Sequence, residues 1–524
     1  MRIPDKATHR RLPFHFFVFF YLLTALFTFR DYGITWDEFD WYISGEEYLK
    51  HFLHMLTPEI DQKEIFSIEQ ASHNYLYPAL ARVFSHSMQA PHLHLFNLIF
   101  ALVVFWALYE VLLDGLGNRW WALLGPVTLY SAFRFSGDIP ANPKDMPLAV
   151  MYSVSLSVFY FYRRNKWNGY LWDFIVGSLI GLTADIRILG ITLLAVFLAM
   201  RFWDRHFDRE NGVKERFGLW LAQEIPHWLL VFLVSQFWMM ALWPYLGSNY
   251  LGNLLNIFRA SKDFSWPGPM MFMGSPIYSA QKLWYYLPVW MLISMPLFVV
   301  LFLFYSFVAF FKTKEKGPRR FCFIFTFALV LNLSLYFILK PVIYNALRHY
   351  LFLVPIVCIL SVFGLFEFWT SLKSVRLKKI TLLFVGINFL TLGWQFFRLY
   401  PYQYIYMNEL VGWVQKGGHR FDCDYWGASL KEASQWLVTH ELTDPKRLYA
   451  VQTCGVPWQE TYYFPANVVG NGPKEVKDPD YRIEMHYEDP ARPDDFVLTP
   501  EWKKRIVYTV EREGIPLAYV FKLK

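Results

Sequence analysis

The sequence predicts an α-helical polytopic membrane protein that ends in a small α/β domain outside the membrane. Three observations predict it. The chain is 55% hydrophobic, 20% aromatic and only 18% charged, a balance that suits membrane helices bordered by aromatic belts. Its apolar residues gather into long runs as far as residue 397, and the chain beyond that point turns polar and alternating. Its basic residues collect between the runs, so the net charge of +7 reads as cytoplasmic loops rather than a nucleic-acid surface.

The first run, 12–29, is long enough to cross a hydrocarbon core of about 30 Å at roughly 1.5 Å per residue. The residues before it are basic and no small-residue cleavage site follows, so it reads as an uncleaved first helix. Ten further runs follow at 93–113, 120–135, 146–162, 171–183, 188–202, 228–245, 286–311, 321–339, 350–369 and 380–397.

The stretch 171–202 admits two readings. It is one long helix with Asp185 and Arg187 midway, or two short helices with those charges at a turn. Loop charge decides, because the basic loops 1–11, 163–166, 201–216, 312–320 and 373–379 share one side only in the second reading. The expectation is therefore about eleven membrane segments, two of them short and not fully crossing, with the N-terminus in the cytoplasm. Residues 1–397 form the membrane unit, and 398–524 lie outside. The turn at 183–187 then faces outward inside a covered cavity, since irregular backbone at that depth needs protein or water around it.

The outer connections are 31–91, which is large, acidic and aromatic, then 136–147, 247–283 and 340–349. In the C-terminal part a helix is expected near 429–439 and strands at 447–451, 481–487 and 505–508, with a hairpin closing on 517–521. Cys322 and Cys358 lie in apolar runs. Cys423 and Cys454 are either a disulfide of an oxidising compartment or two thiols, and the four show no metal spacing. No internal repeat is apparent, which argues against an inverted-repeat transporter.

Ionisable groups mark every outer connection. Asp37 and Glu38 follow the first run, Asp138, Lys144 and Asp145 sit in a Pro-punctuated loop, Asp185 and Arg187 occupy the short turn, and Lys340, Arg348 and His349 close the series. Charges crowded at one leaflet suit a lipid phosphate carrying a reactive group. Arg and Lys clamp the phosphate, Arg bidentately, and a carboxylate deprotonates the acceptor. Plainer readings stand beside these. Asp37-Glu38 is an acidic loop end, Asp185–Arg187 a structural pair and Arg348-His349 an interfacial anchor. Asp145 caps a helix, and His73 binds loop backbone.

Four stretches carry a resemblance. They are Trp36-Asp37-Glu38 after the first run, His73-Asn74-Tyr75-Leu76-Tyr77-Pro78, the turn Gly181-Leu182-Thr183-Ala184-Asp185-Ile186-Arg187-Ile188-Leu189-Gly190, and Arg348-His349-Tyr350 before Pro355. In order and topology the chain resembles the GT-C superfamily of integral-membrane glycosyltransferases, close to the protein O-mannosyltransferase (family 39) and aminoarabinose transferase group. It departs where Asn74-Tyr75 replaces the usual Pro-Pro and where Asp185 precedes Arg187. The stretch Arg420-Phe421-Asp422-Cys423-Asp424-Tyr425-Trp426-Gly427-Ala428-Ser429 reads either as a sub-family signature or as a turn into the helix near 429.

The resemblance implies an inverting transferase of a polyprenyl-phosphate-linked sugar (hexosyl or pentosyl) at the outer face of a bacterial inner membrane, acting on a glycan, lipid or protein acceptor without nucleic acid. Asp37, with Glu38, would activate the acceptor. Arg187, Arg348 and Lys144 would bind the donor phosphate, and His73, Asp138, Asp145, Asp185 and His349 would support the substrates. No cofactor is expected. Asp37, Asp138 and Asp145 offer oxygen ligands for a divalent cation, which the mannosyltransferase-like branch does not favour. The alternatives are a flippase of lipid-linked saccharides, disfavoured because the runs are nearly uncharged along their middles, and a surface-polysaccharide ligase or polymerase.

Overall fold

The computed structural model describes residues 6–56, 76–84, 90–164, 169–210, 216–247, 249–264, 268–312, 316–454, 458–471, 476, 478–486 and 498–524. The chain is mostly helical. The principal helices are α1 (Lys6–Thr28), α2 (Glu38–Leu56), α3 (Leu76–Phe84), α4 (Ala90–Leu116), α5 (Arg119–Ser131), α6 (Asp145–Arg164), α7 (Tyr170–Ile186), α8 (Thr192–Glu210), α9 (Phe217–Leu242) and α10 (Tyr250–Asp263). After a short hairpin, β1 (Pro269–Phe272) and β2 (Ser275–Tyr278), come α11 (Tyr286–Ser294), α12 (Leu297–Lys312), α13 (Lys316–Leu339), α14 (Leu353–Ser371) and α15 (Val375–Leu399).

Among the described residues, six helices are long and apolar enough to cross a membrane, or seven if a bent pair counts as one span. Their outward faces carry large apolar side chains in the open, among them Phe16, Phe20 and Phe27 on α1, Phe232 and Phe237 on α9, and Leu383, Leu390 and Phe397 on α15. Water does not tolerate apolar surface on that scale and hydrocarbon does. By contrast α14 is apolar all round and sits at the centre, with every residue from Leu353 to Leu365 buried.

Two runs break where local chemistry requires it. The stretch 171–202 divides into α7 and α8. Arg187 ends α7 in extended backbone (φ −152°, ψ 137°), and a single 3₁₀ turn, Ile188–Ile191, follows. That turn folds back so tightly that a Cβ on Gly190 would lie 2.4 Å from the backbone nitrogen of Ala184. The run 286–311 is not one helix. It bends by 116° between α11 and α12, because Pro296 has no N–H and pushes Met295 into extended backbone. Asn408 compensates, its side-chain amide donating to the carbonyls of Leu292 and Met295, both at 2.7 Å.

Helix packing relies on small residues and hydroxyls. Gly177 and Gly181 lie one turn apart on α7, and a Cβ on either would meet the Val231 or Ser235 carbonyl of α9 at 2.8 and 2.7 Å. This is the close backbone approach that drives association where lipid removes the hydrophobic force. Ser361 of α14 donates to the Val299 carbonyl of α12 at 2.8 Å.

The C-terminal part holds α16 (Leu430–His440) and a five-stranded sheet of β3 (Tyr449–Gln452), β4 (Val468–Asn471), β5 (Tyr481–Met485), β6 (Ile506–Arg512) and β7 (Ile515–Lys522), in the order β4-β3-β5-β7-β6. β3 runs parallel to both β4 and β5, whereas β5–β7 and β6–β7 are antiparallel. The strand β4, the outer helices α2, α3 and α10, and the β1–β2 hairpin are additions to the sequence reading. Cys423 and Cys454 are not joined by a disulfide.

The sheet sits against the same end of the bundle as the α1–α2 connection. Tyr400 donates its hydroxyl to Asp31, and Arg512 donates to the Tyr400 carbonyl at 2.9 Å. If α15, which is long and apolar enough to cross, spans the membrane, exposed Lys373 and exposed Lys446 lie on opposite sides of it. Single cysteines there, in a background with Cys423 and Cys454 changed to serine, should react with an impermeant maleimide from opposite faces, Lys373 from the cytoplasm. Labelling of both from one face would break the topology.

Candidate active site

The site forms where α1 ends, α6 begins, α7 ends and α14 begins. Its centre is Arg348, buried at 3% exposure just before α14. Nη2 donates to Asp37 Oδ2 at 2.5 Å, and Nε donates to Asp145 Oδ2 at 3.2 Å. The other oxygen of Asp145 accepts from Nη1 of Arg187. Two arginines and two carboxylates, drawn from four outer connections, thus form one continuous ion network. Lys144 stands beside it, its ammonium 5.3 Å from the centre of the Trp41 ring.

Each member is set in place by local backbone. The connection before Arg348 takes left-handed backbone at Asn345 (φ 56°) and Ala346 (φ 61°), a conformation that costs of order 1–3 kcal/mol at a non-glycine residue. It is held there because Ala346 N–H donates to the Tyr286 hydroxyl at 3.0 Å and Val342 N–H to the Lys262 carbonyl at 2.9 Å. The loop 136–145 is buried throughout, so its polar groups need partners. Asn97 donates to the Pro140 carbonyl at 2.7 Å and Thr35 to the Ala141 carbonyl at 2.8 Å. Asn142 Oδ1 accepts from the N–H groups of Lys144 at 3.2 Å and Asp145 at 2.8 Å, which starts α6. Asn142 is therefore the cap, and the Asp145 carboxylate is left for the arginines.

The adjacent carboxylates Asp37 and Glu38 point to different places. Glu38 Oε1 accepts from both the N–H and the hydroxyl of Thr35 at 3.0 Å, and its Oε2 lies 2.9 Å from Nε2 of His94. This is the carboxylate arm of a capping box at the start of α2, with Glu38 reaching back to the Thr35 N–H, sealed by a buried histidine. Asp37 faces the cations and keeps a quarter of its side chain exposed. Burial pushes the Asp37 carboxyl up, but Arg348 and Lys144 outweigh it and hold it below the ordinary range. Burial lowers the Lys144 ammonium to about 8, against the pull of Asp37. Burial beside Arg187 and Arg348 keeps His349 well below its usual range.

Asp138 lies behind the network, 1% exposed, and accepts from the indole N–H of Trp426 at 2.5 Å. Asp185 is buried in the last turn of α7, two residues before Arg187. His73 lies outside the described residues. The structure adds residues that the sequence reading did not nominate. Trp426 lays its ring 4.4 Å from the Arg348 guanidinium, and Tyr344 lies 5.5 Å from it. Arg134, fully buried, stands 4.6 Å from the Trp290 ring and donates to the Tyr406 carbonyl at 3.1 Å. A lone cation in the run 120–135 was the available signal for Arg134. Among the described residues no group of three or more His, Cys, Asp or Glu is arranged to hold a metal ion, and Asp145 already serves Arg187 and Arg348.

A cavity of about 280 Å³ adjoins the network. Arg187, Tyr344 and His349 line it together with apolar walls from Ile188, Ile191, Leu335, Leu339 and Ile343. A space that is greasy along its walls and cationic at one edge fits a phosphate carried on a hydrocarbon chain.

No family model matches the chain, and no curated protein is similar to it. Among solved structures it is similar to ArnT from Cupriavidus metallidurans bound to undecaprenyl phosphate, with a TM-score of 0.48 and 11% identity over 96% of this chain and 98% of that one. The apo form of the same protein gives a TM-score of 0.48 and 12% identity over 96% and 97%. The apo Archaeoglobus fulgidus oligosaccharyltransferase gives 0.39 and 11% over 79% and 62%. Both are GT-C glycosyltransferases, the group whose motifs the sequence resembles. Likeness at this level passes neither an activity nor a residue's role to this chain.

Burial pushes the Asp138 carboxyl up to about 7, helped by Asp145 and opposed by the Trp426 hydrogen bond and by Arg134 and Arg348. A folded value above the unfolded one means that the charge destabilises the fold increasingly between about pH 4 and 7, and by a constant amount above. Asp138→Asn should therefore raise the thermal midpoint of the detergent-solubilised protein by at least about 2 °C at pH 8. The gain should shrink towards pH 4. A gain that is absent at pH 8 would show that Asp138 is ionised without cost.

Proposed function

We propose that this chain transfers a sugar from a polyprenyl phosphate to an acceptor hydroxyl at the outer membrane surface, as a glycosyltransferase of GT-C type. The observation that supports the reading most is the junction of the apolar cavity with the Arg187–Asp145–Arg348–Asp37 network. In this reading the bundle has about eleven membrane segments, two of them short and not fully crossing. The lipid chain lies along the cavity, and its phosphate meets Arg187, Arg348 and Lys144. The acceptor oxygen attacks the anomeric carbon on the face opposite the phosphate, its proton passes to Asp37, and the bond from carbon to the phosphate oxygen breaks. The polyprenyl phosphate leaves with the charge that the cations stabilise, and the sugar is inverted.

The resting ion pair gives this site an internal order of events. Paired with Arg348, Asp37 is too weak a base. A donor phosphate competes for the same guanidinium, loosens its hold on Asp37 and lets the carboxylate's proton affinity rise when the acceptor arrives. Asp145 keeps its hold on both arginines and fixes their spacing.

Two tests follow. Purified protein supplied with radiolabelled polyprenyl-phosphate sugars should transfer or hydrolyse one of them. Asp37→Asn should lower that rate by about 10²-fold or more with donor binding retained. Glu38→Gln, which changes the capping box, should lower stability more than rate. A dead Glu38→Gln beside an active Asp37→Asn would exchange the roles.

The second concerns pH. Lys144 carries its charge below about 8, so donor affinity should be greatest below that pH and should weaken severalfold above it. Lys144→Arg should carry the affinity unchanged to higher pH, because guanidinium does not titrate there. An alkaline limb that persists in Lys144→Arg would assign it to another group.

A further inference from the structure

The turn 424–429 meets the active site at Arg348, at Asp138 and at the segment that leads into Asp37. Asp424 builds it, with Oδ1 accepting from Ala428 N–H at 3.2 Å, Oδ2 from Ser429 N–H at 3.1 Å, and the Tyr404 hydroxyl donating to Oδ1. Gly427 takes φ +69°, where a Cβ would meet Trp36 Nε1 at 3.0 Å and Gln459 Nε2 at 3.1 Å. Trp426, fully buried, points from this turn into the network.

Its three contacts lead to three different elements. The ring face lies 4.4 Å from the Arg348 guanidinium. The indole N–H donates to Asp138 at 2.5 Å. The backbone carbonyl accepts from Trp36 N–H at 3.4 Å and from the Gln459 amide at 3.3 Å, and the same amide nitrogen donates to the Ile34 carbonyl at 2.9 Å. Two residues beyond, the Ala428 carbonyl would lie only 2.1 Å from a Cβ on Gly33. The segment 33–36 leads directly into Asp37. The turn thus grips the base through its backbone and the arginine through its ring.

We propose that Trp426 is a positioning residue of the transfer reaction, which holds the Arg348 guanidinium in register with Asp37 while the 424–429 turn and Gln459 fix the segment that carries Asp37. The inference rests on the glycosyl-transfer reading of the site. A buried guanidinium over an indole face gains electrostatic attraction from the ring quadrupole without a hydrogen bond. Its N–H groups therefore remain available to Asp37, to Asp145 and to an incoming phosphate. Negative charge on the departing phosphate grows between the bound donor and the transition state, so misorienting Arg348 should tell on kcat more than on KM.

The test is a series at position 426 in the full-length protein in detergent or nanodiscs, assayed with a radiolabelled polyprenyl-phosphate sugar. Trp426→Leu should lower kcat about 10-fold or more with the donor KM changed by less than about 3-fold. Because Trp426→Leu removes a buried ring, a second series preserves the shape: mono-, di- and trifluorotryptophan installed at 426 weaken the ring quadrupole stepwise. kcat should fall with each fluorine, by about 3–10-fold across the series, with the thermal midpoint unchanged. A flat fluorine series, or a folded Trp426→Leu with wild-type kcat, overturns the positioning role and leaves the transferase reading intact. A wild-type protein that turns over no polyprenyl-phosphate sugar overturns that reading, and the role of Trp426 with it.

Discussion

Arg348 shared between Asp37 and Asp145 is the constraint around which the outer end of this protein is arranged. A guanidinium at that depth has lost its water, and only nearby carboxylates offset the loss. Asp145 is the more committed of the two, buried between both arginines, while Asp37 keeps a quarter of its side chain exposed. Removing Arg348 would leave Asp37 and Asp145 facing each other with only Arg187 and Lys144 to balance them. The irregular backbone at 345–346, the buried loop 136–145 and the capped start of α2 are all consistent with the need to bring these charges together.

The same network explains why the site lies at one end rather than within the bundle. Charges at the ends of helices reach each other across short outer connections and leave the middles of the helices apolar for lipid and for one another. The buried charges at the opposite end are paired as well. Arg201 meets Glu224, and Asp173 meets both His227 and Tyr162, at the far end of α7, α8 and α9. The bundle has polar clusters at its two ends, and only the outer one adjoins the cavity that Arg187 and His349 line.

Much of this was legible in the sequence. Asp37, Asp145, Arg187 and Arg348 stood out because an ionised group beside an apolar run is expensive, and loop-charge parity put all four on one side. The sequence reading did not separate Asp37 from Glu38 by environment; the contact of Thr35 with the Glu38 carboxylate, three residues on, does so in the structure. What could not be read was contact between distant segments. The Trp426–Asp138 hydrogen bond spans 288 residues, and no local pattern announces it. The bend at Pro296 was visible as a proline in an apolar run, but its tolerance depends on Asn408, more than a hundred residues later. Strand β4 is four residues long and pairs at the edge of the sheet, where hydrophobic alternation has little length in which to show.

The missing side chain at Gly33 reaches further than packing. With the Ala428 carbonyl occupying the space of its absent Cβ, and Gln459 stitched to Ile34, the first outer connection and the C-terminal region behave as a single inherited part. A chimera that took its C-terminal region from another chain would have to import residues 31–38 with it. The C-terminal region is therefore not an accessory, because its turn 424–429 and Gln459 form one wall of the room in which Asp37 stands.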